Sequence, residues 1–215
     1  MSAEKKSILK AGLILGLFSF VGLGLVSYTH QMTYEKIAEN ERLFIIKNLR
    51  ELVPDELHDN DLLESSRQIS DANAFGTDTP VTIYPAIKSG TLTAVILSPT
   101  APDGYNGSIK LLVAISRIGK LLGVRVVSHH ETPGLGDAVD TNKSDWVYAF
   151  NGHSLSDPSP KYWRVKRDGG IFDQFTGATI TPRAVVKAVF NTLTYYQKHK
   201  GALALGKEHT KQSDE

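Results

Sequence analysis

The segment richest in possible chemistry lies near the carboxyl end of the chain and reads Asp173-Gln174-Phe175-Thr176-Gly177-Ala178-Thr179-Ile180-Thr181-Pro182. Thr181 is suited to the N-cap of a helix and Pro182 to its first position, so the segment predicts a helix start. Free N–H groups at a helix N-terminus attract phosphate, which would place the Thr179 hydroxyl beside a phosphate site. The pattern therefore predicts a site that holds a phosphorylated cofactor or is bonded to one.

A second candidate segment follows a predicted strand and reads Glu131-Thr132-Pro133-Gly134-Leu135-Gly136-Asp137. Its glycines permit close approach of the backbone to a flat or anionic ligand, although such a connection more often needs glycine only for its geometry. His129 and His130 precede it. Because adjacent residues on a strand point to opposite faces, we expect no metal site there.

Composition excludes several classes of site. The 215 residues include no cysteine, so disulfides, thiolate-ligated iron–sulfur clusters and cysteine-linked haem or flavin are excluded. The net charge is +1, and no basic stripe interleaved with aromatic residues indicates a nucleic-acid partner. The sequence also lacks a Ser–His–Asp arrangement, a Walker loop and a GxGxxG motif, so neither a hydrolase nor a kinase is favoured.

The N-terminal region carries an export signal. Residues 11–28 are apolar apart from two serines, and Lys5, Lys6 and Lys10 precede them. A spanning helix needs about 20 residues, and the positive-inside rule keeps the lysines in the cytoplasm. We expect an uncleaved signal anchor, with a cleaved signal peptide as the alternative. An exported chain without cysteine needs a way to retain a nucleotide cofactor, and a phosphoester to threonine provides one.

Hydrophobic periodicity predicts the elements that position these segments. We expect an amphipathic helix over 31–52 ended by Pro54, a short strand over 162–165 and a final helix over 182–198. Two hairpins are expected, with strands at 81–88, 92–97, 109–116 and 121–129. In the third strand Ile109, Leu111, Val113 and Ile115 share a face, and in the fourth Leu122, Val124 and Val126 do so.

These elements predict an α+β fold with a mostly antiparallel sheet flanked by helices. The expected organisation has four parts. They are a cytoplasmic N-terminus and transmembrane anchor (1–30), an amphipathic helix with a linker region of short helical turns (31–80), a cofactor-binding domain (81–200) and a mobile polar tail (201–215).

The chain resembles the FMN-binding domain family and, within it, the G subunits of Rnf (also called Rsx) ion-translocating electron transport complexes. The segment 173–179 is similar to the acceptor motif Asp-x-x-Thr-Gly-Ala-Thr of flavinyl transferase, which joins FMN through its phosphate to the final threonine. Other similar stretches are Gly104-Tyr105-Asn106-Gly107, the run from His129 to Asp137, and Ser144-Asp145-Trp146.

The resemblance implies specific roles. Thr179 would carry FMN through a phosphoester, and Asp173, Thr176, Gly177 and Ala178 would form the segment that the transferase recognises. The backbone near Thr181 would stabilise the phosphate. The residues expected to line the flavin-ring pocket are Glu131, Thr132, Gly134 and Leu135.

The resemblance also implies partners and a location. The chain would be a flavin relay in a bacterial inner-membrane complex that couples electron transfer between ferredoxin and NAD to ion movement. Its partners would be the membrane, iron–sulfur and flavin subunits of that complex, and its FMN domain would face the periplasm. Two alternatives remain open: the C subunit of a sodium-translocating NADH:quinone reductase, and a non-redox periplasmic binding or assembly module on a membrane anchor.

Overall fold

The computed structural model describes residues 3–204, with side chains described for residues 7–203. The chain forms two compact units, residues 1–44 and 45–215. Helix α1 (Ala3–Leu52) accounts for the described part of the first unit, and it contains a stretch long and apolar enough to cross a membrane. The predicted helix over 31–52 is continuous with the predicted anchor, because no proline or other helix breaker separates them before Pro54.

The second unit is built on a six-stranded antiparallel sheet. Its strands run in the order β1-β2-β3-β5-β4, and β6 pairs with β5. The strands are β1 (Arg67–Ile69), β2 (Val81–Lys88), β3 (Thr91–Ser98), β4 (Thr100–Ala101), β5 (Ile109–Ser116) and β6 (Leu121–Ser128). The other α-helices of the described residues are α2 (Ala72–Phe75) and α3 (Ile180–Ala204). The remaining helical segments there are short 3-10 turns.

Both predicted hairpins are present. Ser89 and Gly90 connect β2 to β3 with φ values of 50° and 74°, and two successive positive φ angles are typical of the tightest hairpin turn. In the second hairpin Ala114 pairs with Gly123 and Ile115 with Leu121, so Leu122 is an unpaired bulge residue. The bulge breaks the expected alternation. Leu122 therefore lies on the opposite face of the sheet from Val124 and Val126.

Each face of the sheet is covered by a helix. One face packs against α3, whose contribution to the core is Val185, Val189 and Leu193 among others. The other face packs against the end of α1 through Leu49 and Leu52. A Cβ on Gly123 would lie 2.7 Å from Leu52 Cδ2, so glycine lets the end of α1 approach β6 closely. This end of α1 consequently belongs to the second unit, which begins at Ile45.

Residues 55–80 are part of the compact unit rather than a linker ahead of a domain that begins at residue 81. Strand β1 pairs with β2, and the short helix α2 is capped by Asp71, whose carboxylate accepts from the Ala74 N–H at 3.0 Å. Phe75 is buried in the core. A strand of three residues is too short to show an alternating pattern, which is why β1 has no periodic signal in the sequence.

Two further predictions differ from the structure. The expected strand at 162–165 is absent; Tyr162 ends a 3-10 turn, and Val165 makes only an isolated parallel bridge with Phe172. Helix α3 begins two residues before the predicted start and extends beyond Lys198 to Ala204. The expected mobile tail lies outside the described residues from residue 205 onwards.

Candidate functional site

The predicted acceptor segment folds as a tight turn. The Ala178 N–H donates to the Phe175 carbonyl at 3.2 Å, and Gly177 has a φ of 82° at the third position of the turn. A positive φ at that position is typical of a type II turn and favours glycine. The Thr176 side chain is exposed and that of Thr179 is half-buried, so solvent reaches both threonines.

Helix α3 begins at Ile180, so Thr179 is the residue directly before the helix and Thr181 is not its N-cap. The Arg183 N–H donates to the Thr179 carbonyl at 3.4 Å and closes the first turn. Pro182 lies in this turn, where its missing N–H removes no helical hydrogen bond. The predicted cap is therefore wrong, and the Thr181 hydroxyl is used in a tertiary contact instead.

That tertiary contact is a hydrogen bond from the Thr181 hydroxyl to Glu131 Oε2. Thr181 is fully buried and Glu131 is 4% exposed. The second carboxylate oxygen of Glu131 accepts from the Asn106 N–H at 3.3 Å. Because a buried carboxylate needs hydrogen-bond donors, these two donors compensate its desolvation and fix it in place.

Three segments therefore meet at the Glu131 carboxylate, namely 102–107, 131–136 and 176–181. We call this meeting point the carboxylate junction. A Cβ on Gly136 would lie 2.6 Å from Glu131 Oε2, and a Cβ on Gly104 would lie 2.2 Å from the Gly107 carbonyl and 2.8 Å from Glu131 Oε1. Any side chain at either glycine would displace the junction, so these two glycines are required for close packing.

The segment 131–136 presents Leu135 towards the acceptor turn. The carbonyl of Thr132 accepts N–H groups from both Leu135 and Gly136 at 3.1 Å, and Gly134 has a φ of 79°. Leu135 is 43% exposed, and its Cδ2 would be 3.2 Å from a Cβ on Gly177. Thr132 and Gly134 thus shape the turn, and Leu135 is the residue that the structure brings to the acceptor segment.

Exposed apolar side chains occur in each segment of the carboxylate junction. Tyr105 is 68% exposed and Ile180, directly after Thr179, is 45% exposed. Leu135 and Ile180 provide apolar surface beside the segment that carries Thr179, and Tyr105 belongs to the third segment of the junction. Such surface is suited to a flat aromatic ligand held by a separate polar attachment.

Asp173 is fixed at the start of the acceptor segment. Its carbonyl accepts from Trp146 Nε1 at 2.7 Å, and its carboxylate pairs with Lys166 at 2.6 Å. The Trp146 ring also contacts Phe175 edge-on, with 5.0 Å between the ring centroids. The carboxylate remains well exposed, so Asp173 is accessible to another protein while its backbone is held in place.

The three threonine hydroxyls differ in availability. Within the described part of the chain, no hydrogen bond engages the hydroxyl of Thr176 or Thr179, whereas that of Thr181 is engaged by Glu131. Thr179 also borders the first turn of α3, whose N–H groups have no acceptor in their own helix. Since Pro182 has no N–H, that of Arg183 is used and Thr181 is fully buried, the N–H group free to meet an anion is that of Ile180.

Sequence reasoning missed two contributors to the site. Asn106 joins the carboxylate junction through its backbone and also donates from its side chain to the His130 carbonyl at 2.6 Å. Its sequence signal was its place in the stretch Gly104-Tyr105-Asn106-Gly107, which carries the family resemblance but indicates no contact with Glu131. Arg183 makes a two-point ion pair with Asp168, at 2.6 and 2.7 Å, which links α3 to the preceding loop. A separation of 15 residues gives no sequence signal for that pair.

Metal binding receives no support from the described residues, which contain no suitable group of three or more histidine, aspartate or glutamate side chains. The Nδ1 of His129 accepts from the Glu131 N–H at 3.1 Å, and His130 is exposed. The two imidazoles therefore contribute to the turn and to the surface.

Two family models match the chain. Residues 104–194 match the FMN-binding domain, and this range includes Asn106, Glu131 and Thr181 of the carboxylate junction; residues 1–52 match the RnfG N-terminal region. The second match corresponds to helix α1 and contains the apolar stretch.

Curated relatives match almost the full length. The chain is 48% identical to the G subunit of the ion-translocating oxidoreductase complex of Shewanella piezotolerans over 199 residues, which cover 93% of this chain and 94% of the relative. It is 47% identical to that of Pseudomonas aeruginosa (96% and 97% covered) and 45% identical to that of Vibrio vulnificus (90% and 92% covered). With its FMN-binding domain and its apolar N-terminal helix, this chain belongs to the family of G subunits of ion-translocating oxidoreductase complexes.

Proposed function

We propose that the chain is an electron-relay subunit that carries FMN covalently, through a phosphoester to Thr179. The observation that carries this proposal is the position of the Thr179 hydroxyl. It is accessible, it makes no hydrogen bond within the described residues, and it directly precedes α3. The N–H group of Ile180, in the first turn of α3, would stabilise the phosphodiester charge.

The residues around Thr179 fit FMN in two ways. The hydroxyl and the helix start suit the phosphate, and the exposed side chains of Tyr105, Leu135 and Ile180 suit the apolar ring system. Glu131 and Thr181, expected from sequence to touch the cofactor, are buried and bonded to each other. Their role in the proposal is therefore to hold the segments that bind it.

Bound FMN supplies the one- and two-electron redox chemistry of flavins. The chain itself retains the cofactor, orients it and sets the polarity around it. A covalent attachment at Thr179 makes retention independent of the free FMN concentration. Asp173, Thr176, Gly177 and Ala178 would form an exposed turn that a flavinyl transferase recognises before attachment.

Family membership supports the wider assignment. The relatives are named as subunits of ion-translocating oxidoreductase complexes, so we assign this chain to such a complex, with further membrane and redox subunits as its partners. The same membership favours the G subunit over the C subunit of an NADH:quinone reductase and over a module with no redox role. Ferredoxin and NAD would exchange electrons elsewhere in the complex.

The lysines before the apolar stretch favour a cytoplasmic N-terminus in a bacterial inner membrane, with residues 45–215 in the periplasm. In that compartment a covalent attachment has a clear advantage, because a dissociated nucleotide would be lost.

Intact-protein mass spectrometry tests the attachment. Protein made together with a flavinyl transferase should gain the mass of FMN less one water, and fragmentation should map this gain to the peptide containing Thr179. Thr179→Ala should abolish it. Thr176→Ala removes a neighbouring hydroxyl from the recognition turn but not the attachment point, so it should keep at least part of the mass gain. An unmodified wild-type chain, or a fully modified Thr179→Ala variant, would refute the proposal.

A further inference from the structure

The loop before the acceptor segment turns its charged residues outward. Trp163, Val165 and Phe172 are buried, and Val165 bridges to Phe172. These buried residues anchor the loop, and most residues beside and between them are exposed. The exposed residues include Lys161, Tyr162, Arg164, Lys166, Arg167 and Ile171. The loop conformation also depends on Gly170, because a Cβ there would lie 1.8 Å from the Arg164 carbonyl.

Positive charge is concentrated on this loop and the start of α3. Residues 161–183 contain five lysine and arginine residues and two acidic residues, in a chain whose net charge is only +1. Both acidic residues are already paired, Asp168 with Arg183 and Asp173 with Lys166. Within the described residues, no carboxylate lies within 4.0 Å of the side-chain nitrogens of Arg164 or Arg167. Their charge is therefore available to a partner.

Arg164 and Arg167 lie in the same loop as Asp168, and Asp168 is joined to Arg183 by two hydrogen bonds. These hydrogen bonds lower the pKa of Asp168 below its ordinary value, and the charges of Arg183, Arg167 and Arg164 lower it further. Because all three arginines are exposed and the Asp168–Arg183 pair ties the loop to α3, they belong to one region of the surface. We call the exposed groups of Tyr162, Arg164, Arg167, Ile171 and Arg183 the arginine surface.

Two partly exposed apolar residues lie within the arginine surface. The Ile171 N–H donates to the Tyr162 carbonyl at 3.2 Å, so these two residues are neighbours. Their exposed fractions are 41% for Tyr162 and 37% for Ile171. Tyrosine and arginine around a small apolar centre are typical of protein–protein interfaces.

The arginine surface is also connected to the proposed flavin attachment. The Arg183 N–H donates to the Thr179 carbonyl, and the Arg167 N–H donates to Gln174 Oε1 at 3.3 Å. A protein that covers the arginine surface would therefore lie against the acceptor segment.

We propose that the arginine surface docks an acidic surface of a neighbouring redox subunit, and so brings that subunit to the flavin at Thr179. This inference rests on the proposed function. A guanidinium group matches a carboxylate in shape and charge, and complementary charge speeds association and fixes orientation. A lipid surface fits less well, because Tyr162 and Ile171 are only 41% and 37% exposed, whereas membrane-inserting side chains protrude into the bilayer.

Photo-crosslinking in the assembled complex tests the docking directly. A photoreactive residue at Ile171 in the full chain, expressed with the other subunits in native membranes, should give a protein adduct that maps to a carboxylate-rich segment of one other subunit. Ile118 is the matched control position, because it is apolar, 80% exposed and lies in the β5–β6 turn. Lipid adducts only, adducts with the transferase only, or no adduct at Ile171 would overturn the proposal.

Charge reversal tests the electrostatic part. Arg164→Glu/Arg167→Glu should lower the crosslinking yield from Ile171 about tenfold at low ionic strength, whereas Arg117→Glu/Lys120→Glu, with the same change in charge, should not change it. Both variants should keep full covalent flavin. A yield that is unchanged, or that falls equally in both variants, would overturn the proposal. If Arg164→Glu/Arg167→Glu alone loses covalent flavin, the docking proposal is also overturned, because the arginine surface would then bind the flavinyl transferase.

The crosslink does not require flavin, so the two proposals fail separately. A wild-type chain that crosslinks at Ile171 but carries no flavin at Thr179 refutes the attachment and keeps the docking. A chain that carries flavin but gives no protein adduct refutes the docking alone.

Discussion

The hydroxyl of Thr181 donates a hydrogen bond to the buried carboxylate of Glu131, across 50 residues of sequence. This contact joins the first turn of α3 to the loop that follows β6. Because the same carboxylate also accepts from the Asn106 N–H, a single side chain holds three segments together. The position of Thr179, two residues before Thr181, is therefore set by a contact that lies outside its own motif.

Breaking this contact should destabilise the domain. Thr181→Val keeps the shape of the side chain but removes the donor, which leaves a buried carboxylate short of one hydrogen bond. We expect a loss of about 1–3 kcal/mol in the free energy of unfolding. Urea unfolding of the full chain in detergent, followed by the fluorescence of Trp146 and Trp163, measures it.

A double-mutant cycle separates this contact from its surroundings. Glu131→Gln alone should cost about 1.5–3 kcal/mol, and the coupling energy between the two substitutions should be about 0.5–3 kcal/mol. Thr181→Ser keeps the hydroxyl and is the control. Strictly additive effects would show that the hydrogen bond contributes nothing to stability.

Gly170 and Gly169 form a matched pair for testing the loop before the acceptor segment. Gly170→Ala would place a Cβ 1.8 Å from the Arg164 carbonyl, so the backbone must move. Gly169→Ala meets no atom within 4 Å, and its φ of 82° is strained by only about 1–2 kcal/mol.

We therefore expect Gly170→Ala to unfold at clearly lower urea concentration than Gly169→Ala. The Gly170→Ala variant should also give a lower crosslinking yield from Ile171, because its loop is displaced. If the two variants have equal stability, the close approach at Gly170 is not present in solution.

The ion pair between Asp168 and Arg183 predicts a pH dependence. The Arg183 hydrogen bonds hold the pKa of Asp168 below its ordinary value of 3.8. A carboxyl group with a lower pKa in the folded state stabilises the fold above its unfolded pKa, and this contribution is lost as the pH falls through the folded pKa. Because the pair is exposed to solvent, the effect on stability should be small and should weaken with salt.

An NMR titration of the Asp168 carboxyl carbon measures this directly. Arg183→Gln should return the pKa towards the ordinary value, and Arg117→Gln should leave it unchanged. A wild-type Asp168 that titrates at 3.8 or above would contradict the ion pair.

The charges before the apolar stretch predict the orientation in the membrane. A C-terminal alkaline phosphatase fusion should be active, because this enzyme folds only after export. Replacing Lys5, Lys6 and Lys10 together with glutamate should reduce the activity by disturbing orientation. An inactive fusion to the wild-type chain, made at normal levels, would place the domain in the cytoplasm.

Local patterns in the sequence were sufficient for much of the fold. The hairpin at Ser89-Gly90 and the shared face of β5 follow from turn chemistry and from a period of two, and both are confirmed. Predictions failed where pairing with residues distant in the sequence decides the structure. Leu122 changes face because of a bulge opposite Ala114, and β1 is too short to show any period.

The sequence by itself determined a helix apolar and long enough to cross a membrane and the α+β class, because apolar length and periodicity are local properties. Only the tertiary structure decided what Thr181 does. Its residue type suits a helix cap, but α3 begins at Ile180, so Thr181 lies in the first turn and its hydroxyl donates to the buried Glu131 carboxylate, which needs a donor. The same long-range packing brings Leu135 to Gly177 and Arg183 to Asp168.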